Sequence, residues 1–529
     1  MTEPVSPLPT DTETLQALLQ TAWAERDAER AAKIEAIEQN DNLRHLLARL
    51  QRGEFGRSSE KLDPDQLGLA LEDIETALAK ADAEAEKEDP ALAERNTRKR
   101  RARGAVPKDA EEIHTTLLPE DCACPSCRAE MAVIGEDVSR RIDIVPLKVR
   151  VIFTHRPILA CRACKEAIIQ APAPKHIVPG GLPTEAFVAW VLASKYAMHL
   201  PLYRLAQMLA LRGLVIDRST LAQWVGFAAA ELWLIYSRLQ RIILASPKIF
   251  VDETTLPVLD PGRGKTRKDY FWSVARDNRP WSGPDPPAVF YAYTPGRGAK
   301  HGHDVLRGYG GTIQCDGYSA YQTLATKAAR TNAPIVLAFC LAHFRRKFYD
   351  LAKSGSAPIA EEALRKIARL YKIESEISGL SSDQRVAVRQ EKSKALCDEL
   401  KIWLEQRLLE VSGKSKLAEA IRYGLSHWDG LMRFLDDGRI EIDNNTAERT
   451  IRPICLGRKN HLFAGSSDGA ENWAAIASLV ETCKLNGVDP EAYFADVLVK
   501  LVQGWPPERL DELMPWAWAE ARTALDLAA

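Results

Sequence analysis

A chain of 529 residues exceeds what one ordinary core absorbs, so several domains are expected. Its hydrophobic fraction of 46% is that of a globular protein, and no stretch reaches the ~18 uninterrupted apolar residues of a membrane span. The formal net charge of −1 excludes a uniformly basic nucleic-acid coat but conceals strong segregation along the chain.

The first thirty residues are acidic and polar, without the basic and apolar regions of a signal peptide, so a cytoplasmic protein is expected. Residues 12–51 read as a helix. Leu15, Leu19, Ile34, Ile37, Leu43, Leu47 and Leu50 stand mostly at helical spacings, in an irregular heptad compatible with a short association coiled coil. Residues 52–117 read as a charged linker. Positions 60–94 hold twelve acids against three lysines, and "RNTRKRRAR" at 95–103 then holds six cations and no acid. Such a run is a solvated linker first and a phosphate contact second.

A cysteine module follows at 118–172. Five of the ten cysteines cluster as "CACPSC" (Cys122, Cys124, Cys127) and "CRAC" (Cys161, Cys164), which points to metal rather than to a disulfide framework. Two C-x-x-C knuckles separated by 33 residues suit a tetrahedral Zn²⁺ held by Cys124, Cys127, Cys161 and Cys164, with Cys122 able to replace Cys124. A full Cys₄ set leaves no open position for substrate, so this zinc is expected to be structural.

Over 180–245 the pattern predicts three helices with short joints. In the joint "RGLVIDRSTLAQW", Gly213 can close one helix and Asp217 or Ser219 can cap the next, resembling a helix-turn-helix; an ordinary helical subdomain fits equally well. Five strand-like runs then occupy 246–340: "KIFVDET", "YFWSVAR", "AVFYAYT", "GGTIQCDG" and "PIVLAFC". Residues 341–440 are helical again, 441–480 return to the core, and 481–529 form a helical tail. The simplest fold class is an α/β sheet core with helical material on both sides and inserted into it.

Three acids stand out. "KIFVDET" ends an apolar strand in Asp252, and "TIQCDGYSAY" does the same with Asp316, where Gly317 permits a sharp exit. In "DNNTAERTIRP", Asp443 or Asn444 can cap a short helix that Pro453 ends, with Glu448 and Arg452 one turn apart on one face. Singly, each acid is better read as a turn or surface residue. Together they could bind two divalent ions for displacement at a phosphodiester, and Mg²⁺ takes such hard oxygen ligands. Arg449, Arg452, Arg458 and Lys459, with no acid from 449 to 465, could hold a DNA backbone. Glu253, Glu441 and Asp443 are alternative acids, Asp443 being more simply a cap. "GRGKT" at 262–266 lacks the first glycine of a phosphate loop and reads as a hairpin tip; "HGH" at 301–303 reads as a surface loop.

"VDET", "CDGYSAY", "CLAHFRRKFYD" and "DNNTAERTIRPICLGRKNHLFAGS" resemble, in order, the signature blocks of the insertion sequence 66 family of bacterial DDE transposases. "FGRSSEKL" is similar to the family's N-terminal leucine-zipper region, the knuckles to its zinc module, and "SLVETCKLNGVDPEAYFADVL" to its tail. The resemblance implies an RNase H-like catalytic core with a helical insertion. It implies that Asp252, Asp316 and Glu448 bind Mg²⁺ or Mn²⁺, and that Arg345 and Arg346 join the DNA contacts. The implied partners are double-stranded DNA (terminal inverted repeats and target), further copies of the chain assembled on DNA, and accessory proteins of the same element. No membrane partner is expected. Cys340 and His343 match a C-x-x-H signature, read as structural or DNA-positioning. His461 departs from the family pattern, where an aromatic such as Trp is expected. The implied reaction is hydrolysis at element ends followed by strand transfer of the 3′-hydroxyl. The rival readings are an inactive transposase-derived DNA-binding protein and a metal-dependent nuclease without strand transfer.

Overall fold

The computed structural model describes residues 149–155, 157–160, 168–170, 173–179, 181–260, 265–353 and 357–528, all within the second of two compact units, Pro146–Ala529. Two short strands, β1 (Ile158–Ala160) and β2 (Ile168–Gln170), pair antiparallel. Helix α1 (Glu185–Leu192) starts at Thr184, whose hydroxyl accepts the Phe187 N–H at 3.2 Å, and runs into a π-helical turn at Ala193–Ala197.

Helices α2 (Leu202–Ala210) and α3 (Arg218–Leu244) follow. Gly213 closes α2 as its sequence suggests: with φ at +80° it lets the Leu214 N–H reach back to the Leu209 carbonyl at 3.0 Å. Asp217 takes the N-cap position of α3, but its side chain makes no capping bond. The buried stripe of α3 includes Leu221, Trp224, Ala228, Leu232, Ile235 and Leu239, a helical period that fixes which face meets the core.

The five strand-like runs form one sheet: β3 (Lys248–Asp260), β4 (Lys265–Arg276), β5 (Ala288–Thr294), β6 (Gly311–Cys315) and β7 (Ile335–Phe339). Short helices α4 (Ala299–Val305) and α5 (Ser319–Ala328) lie between β5 and β6 and between β6 and β7. The order is β5-β4-β3-β6-β7; β3, β4 and β5 form an antiparallel meander, while β6 runs parallel to both β3 and β7. Asp252 therefore does not end its strand. Parallel pairing with β6 stops at Phe250, but β3 continues to Asp260 because β4 still pairs with it along that length.

Between β7 and the next core element the chain forms α6 (Leu341–Lys353), α7 (Pro358–Glu376), α8 (Ser382–Val388), a π-helical turn (Arg389–Ser393), α9 (Lys394–Glu410), α10 (Lys416–Ser426) and α11 (Trp428–Met432). Two fully buried arginines knit this region. Arg385 reaches both Glu374 (3.3 Å) and Glu441 (2.7 Å), and Arg389 reaches Glu374 at 2.6 Å and the Phe434 carbonyl at 2.7 Å. Removing one partner of such a buried pair typically costs ~3–5 kcal/mol, because the other charge is left dry and uncompensated.

Helix α12 (Asn445–His461) then passes straight through Pro453 rather than ending there. Proline removes the bond to the carbonyl four residues back, that of Arg449, and Arg449 lies on the exposed face of the helix, where the loss of that bond is tolerated. Helices α13 (Ser467–Leu485), α14 (Pro490–Val502) and α15 (Pro515–Ala528) complete the fold. An edge strand such as β5 leaves backbone groups unpaired, and α13 covers them. Ser478 accepts the Tyr291 N–H at 2.8 Å, while Thr482 accepts the Val289 N–H at 3.2 Å and donates to its carbonyl at 3.0 Å. Among the described residues no helix is long and apolar enough to cross a membrane.

Candidate active site

The pairing register brings two of the candidate acids together. Phe250 and Gln314 are the last aligned pair of β3 and β6, and Asp252 and Asp316 each lie two residues beyond it. Asp252 on β3 and Asp316 just past the end of β6 therefore stand at the same height, where neighbouring strand backbones lie ~4.8 Å apart. This is the end of the parallel strands where the chain order reverses, the usual position of a binding crevice in an open α/β sheet.

Glu448 arrives from the first turn of α12, and the start of that helix is fastened to both strands. The Asn444 N–H donates to Cys340 Sγ at 3.1 Å, and its side-chain amide donates to the Val251 carbonyl, next to Asp252, at 3.3 Å. Asn444 thus anchors the helix instead of capping it through its side chain. Asp443 does accept the Asn445 N–H at 3.1 Å. Gln314, fully buried on β6, donates to the carbonyls of Glu441 (2.7 Å) and Asp443 (2.5 Å) and accepts the Glu441 N–H at 3.1 Å.

The Asp316 carboxylate accepts the Tyr318 N–H at 2.9 Å, which fixes the entry into α5. Gly317 is required not for a sharp turn, since its φ is not positive, but for a close approach: a Cβ there would collide with the Tyr423 hydroxyl.

Burial pushes the Asp252 carboxyl up to about 7, helped by the charges of Glu253, Asp316 and Glu448. Burial also raises Glu253 to about 7, against the Tyr321 hydroxyl at 2.7 Å and Arg297 at 4.0 Å, which favour its charged form. Four acids therefore share one electrostatic neighbourhood. Among the described residues, however, no three His, Cys, Asp or Glu side chains stand together as a ready-made metal site. The donor set still fits a hard divalent cation, being all carboxylate oxygen, and a cation would offset the burial and the carboxylate repulsion that together raise Asp252.

Cys340 and His343 play separate parts. Cys340 is buried just ahead of α6, accepts the Asn444 N–H, and has its thiol pushed up to about 12 by burial, so it stays neutral and is a poor metal ligand. His343 Nε2 stands 4.0 Å from Glu448 Oε1, while its buried Nδ1 has no hydrogen-bond partner among the described residues.

The candidate DNA-contacting cations divide in the same way. Arg449, Arg452, Lys459 and Arg346 are exposed, and Arg345 is half-buried near the Tyr349 ring. Arg458 turns inward instead, donating to the hydroxyls of Thr254 (3.2 Å) and Thr255 (2.9 Å) and to the Thr255 carbonyl, so it ties α12 to β3. "HGH" lies within α4 rather than in a loop, and the tip of the β3–β4 hairpin at 261–264 lies outside the described residues, as do Cys122, Cys124, Cys127, Cys161 and Cys164. His461 sets its ring edgewise to Trp473 at 5.6 Å, an aromatic contact despite the departure from the expected residue. Gln314 and Arg297 are neighbours that the sequence reading misses, and Asn444 figures there only as a candidate cap. Only Gln314 leaves a trace, as a polar residue inside an apolar strand.

Residues 180–472 match the model of the Transposase IS66 family, and 478–516 match the IS66 C-terminal element. Residues 121–165 match the zinc-finger binding domain of transposase IS66, which supports a structural zinc, and 42–113 match a model described as Transposase C of IS166 homeodomain. Two similar proteins come from Sinorhizobium fredii (strain NBRC 101917 / NGR234). The uncharacterized protein y4qI is 42% identical over 98% of both chains, and the uncharacterized protein y4jD is 42% identical over 90% of this chain and 94% of its own.

Proposed function

We propose that this chain, which belongs to the IS66 transposase family, cuts DNA at the ends of its element and joins the freed ends to target DNA, with Asp252, Asp316 and Glu448 as its catalytic acids. The observation that carries this reading is the register of β3 and β6, which sets two aspartates side by side below a helix that presents Glu448. The order β5-β4-β3-β6-β7, with the acids at the ends of the parallel pair, supports reading the sheet as an RNase H-like core.

The three carboxylates would hold Mg²⁺ or Mn²⁺. Bound there, such ions supply Lewis acidity at the phosphate and acidify water. The residues of the chain supply position and charge. Asp252 and Asp316 are held by the sheet, and Glu448 by the anchors of Asn444 and Gln314. Arg449, Arg452, Lys459 and Arg346 offer cations to the phosphates on either side, with Arg345 nearby. In the first step a water oxygen bonds to phosphorus and the bond to the 3′-oxygen breaks, leaving a 3′-hydroxyl and a 5′-phosphate. In the second, that 3′-hydroxyl oxygen bonds to a target phosphorus and the bond to the target's own 3′-oxygen breaks, so the element end is joined to the target 5′-phosphate and a target 3′-hydroxyl is released with the transferred proton. No covalent protein–DNA intermediate arises, so no Ser or Tyr nucleophile is required. The zinc module and the helices of 180–245 recognise element ends, and residues 12–51 mediate association of copies on DNA.

Glu448→Gln keeps the shape and loses the charge. With duplex DNA carrying the sequences that flank the gene, wild type should give metal-dependent cut and joined products. The variant should bind equally and cut at least ~10³-fold more slowly, since it loses a group that acts on the transition state. Equal cutting by the variant would exclude Glu448 from the triad. Cutting without joined products would favour a nuclease, and binding without cutting by wild type would favour an inactive descendant.

A further inference from the structure

A cavity of about 300 Å³ opens at the far end of α12, lined by Lys195, Tyr196, Gly226, His461, Asn472 and Trp473 among others. Counting ~1.5 Å per residue, it stands about 20 Å along the helix from Glu448. Arg449, Arg452 and Lys459 fall on one exposed face of that helix between the two, at spacings of three and seven residues.

Two glycines keep the cavity open without any local need to be glycine. Gly226 sits inside the 27-residue α3, where glycine weakens a helix, yet its φ is not positive and, apart from its chain neighbours and the adjoining backbone of α3, no heavy atom of the described residues lies within 4 Å of the place its Cβ would occupy. Gly465 shows the same open space. Packing thus explains neither, and both glycines line the cavity. The rim is also held under strain. Leu462 adopts φ +64°, rare for leucine, while Ala464 is pinned to β3 through Pro257 (2.9 Å) and Leu259 (2.8 Å). Phe463, between them, stays 42% exposed at the mouth.

We propose that this cavity receives a single unstacked nucleobase from a DNA strand that tracks the cationic face of α12. Phe463 and His461 offer ring surfaces against which any base can stack, with the buried Trp473 and Tyr196 forming the wall behind them. Asn472 supplies a donor and an acceptor, the complement of a base edge, and Lys195 supplies a cation for a ring carbonyl or the adjoining phosphate. Burial holds His461 down to about 4, so its ring remains neutral and able to stack.

This inference rests on the proposed DNA path, and the test separates the two. The full chain is titrated with a duplex bearing one unpaired 2-aminopurine and with its fully paired twin. Wild type should prefer the unpaired probe by roughly 5- to 150-fold, the range expected for stacking one base on an aromatic surface, with a change in 2-aminopurine emission. Gly226→Leu should erase the preference, leave affinity for the paired twin within about twofold, and not lower the melting temperature, since it replaces a helix-interior glycine in open space. Phe463→Ala, at the exposed rim, should reduce the preference without disturbing the core. A combined Arg452→Glu and Lys459→Glu variant should weaken both probes together. Equal binding of the two probes by wild type, or an undiminished preference in folded Gly226→Leu, overturns the base site while leaving the DNA path intact. Unchanged binding of both probes by the α12 variant overturns the path itself, and with it this inference.

Discussion

Asp252 carries the electrostatic load of the site. Its carboxyl is driven from 3.8 to about 7, first by burial and then by Glu253, so the folded protein binds a proton there more tightly than the unfolded chain does. Stability of the metal-free protein should therefore fall as pH rises from about 4 to about 7, because the native state holds more protons across that window. The shift corresponds to roughly 4 kcal/mol as an upper bound, at about 1.4 kcal/mol per unit. Asp252→Asn should then stabilise the metal-free protein by about 2–4 kcal/mol at pH 8, flatten its pH dependence, and abolish cutting. Urea unfolding in chelator at pH 5 and pH 8 measures this, and an Asn variant less stable than wild type at pH 8 would contradict it. The acids themselves were legible in the sequence, each next to an apolar strand or in the first turn of a helix. Their mutual repulsion was not, because it depends on burial and on a register that joins residues 64 and 196 positions from Asp252.

Among the elements, the segment leading into α12 is held chiefly by one side chain, while Asn444 and Arg458 fasten the helix itself. Gln314 spans three backbone groups of the segment before the helix, and Asp316 lies two residues further along the chain, just past the end of β6. Moving this segment moves Glu448 relative to both aspartates. Gln314→Leu keeps similar volume but leaves one N–H and two carbonyls without their partner, which at about 1 kcal/mol per bond should destabilise the protein by ~2–4 kcal/mol. Cutting should fall further than the unfolded fraction explains, and Gln314→Glu should not restore it, because a carboxylate cannot donate to the two carbonyls. Cutting rates measured well below the melting temperature test this; activity proportional to the folded fraction would reduce Gln314 to a packing residue. The five strands were legible from their apolar runs. The length of α12 was not, since Pro453 signals an end unless the freed carbonyl is known to face water. Nor was the cover over β5, because Ser478 and Thr482 look like ordinary helix residues until the strand they serve is beside them.

At the scale of the whole molecule, a net charge of −1 leaves no general field to draw in DNA, so affinity has to come from local cationic faces. The exposed face of α12 is one such face, and its contribution should appear in the salt dependence of binding. Taking away a cation that neutralises one phosphate should reduce the slope of log K against log salt by about 0.9. Arg452→Ala and Lys459→Ala should each lower the slope by that amount and weaken binding most at low salt. Arg458→Ala should behave differently, because its guanidinium is held by Thr254 and Thr255 on β3. It should leave the slope unchanged and lower the melting temperature, as α12 loses its tie to the sheet. Three cations that are equivalent on paper would then separate into two that face DNA and one that holds the helix presenting Glu448. Fluorescence anisotropy of a duplex across a salt series, alongside thermal unfolding of the same variants, checks both halves. A reduced slope in Arg458→Ala, or an unchanged one in the other two, would place the DNA elsewhere on the surface.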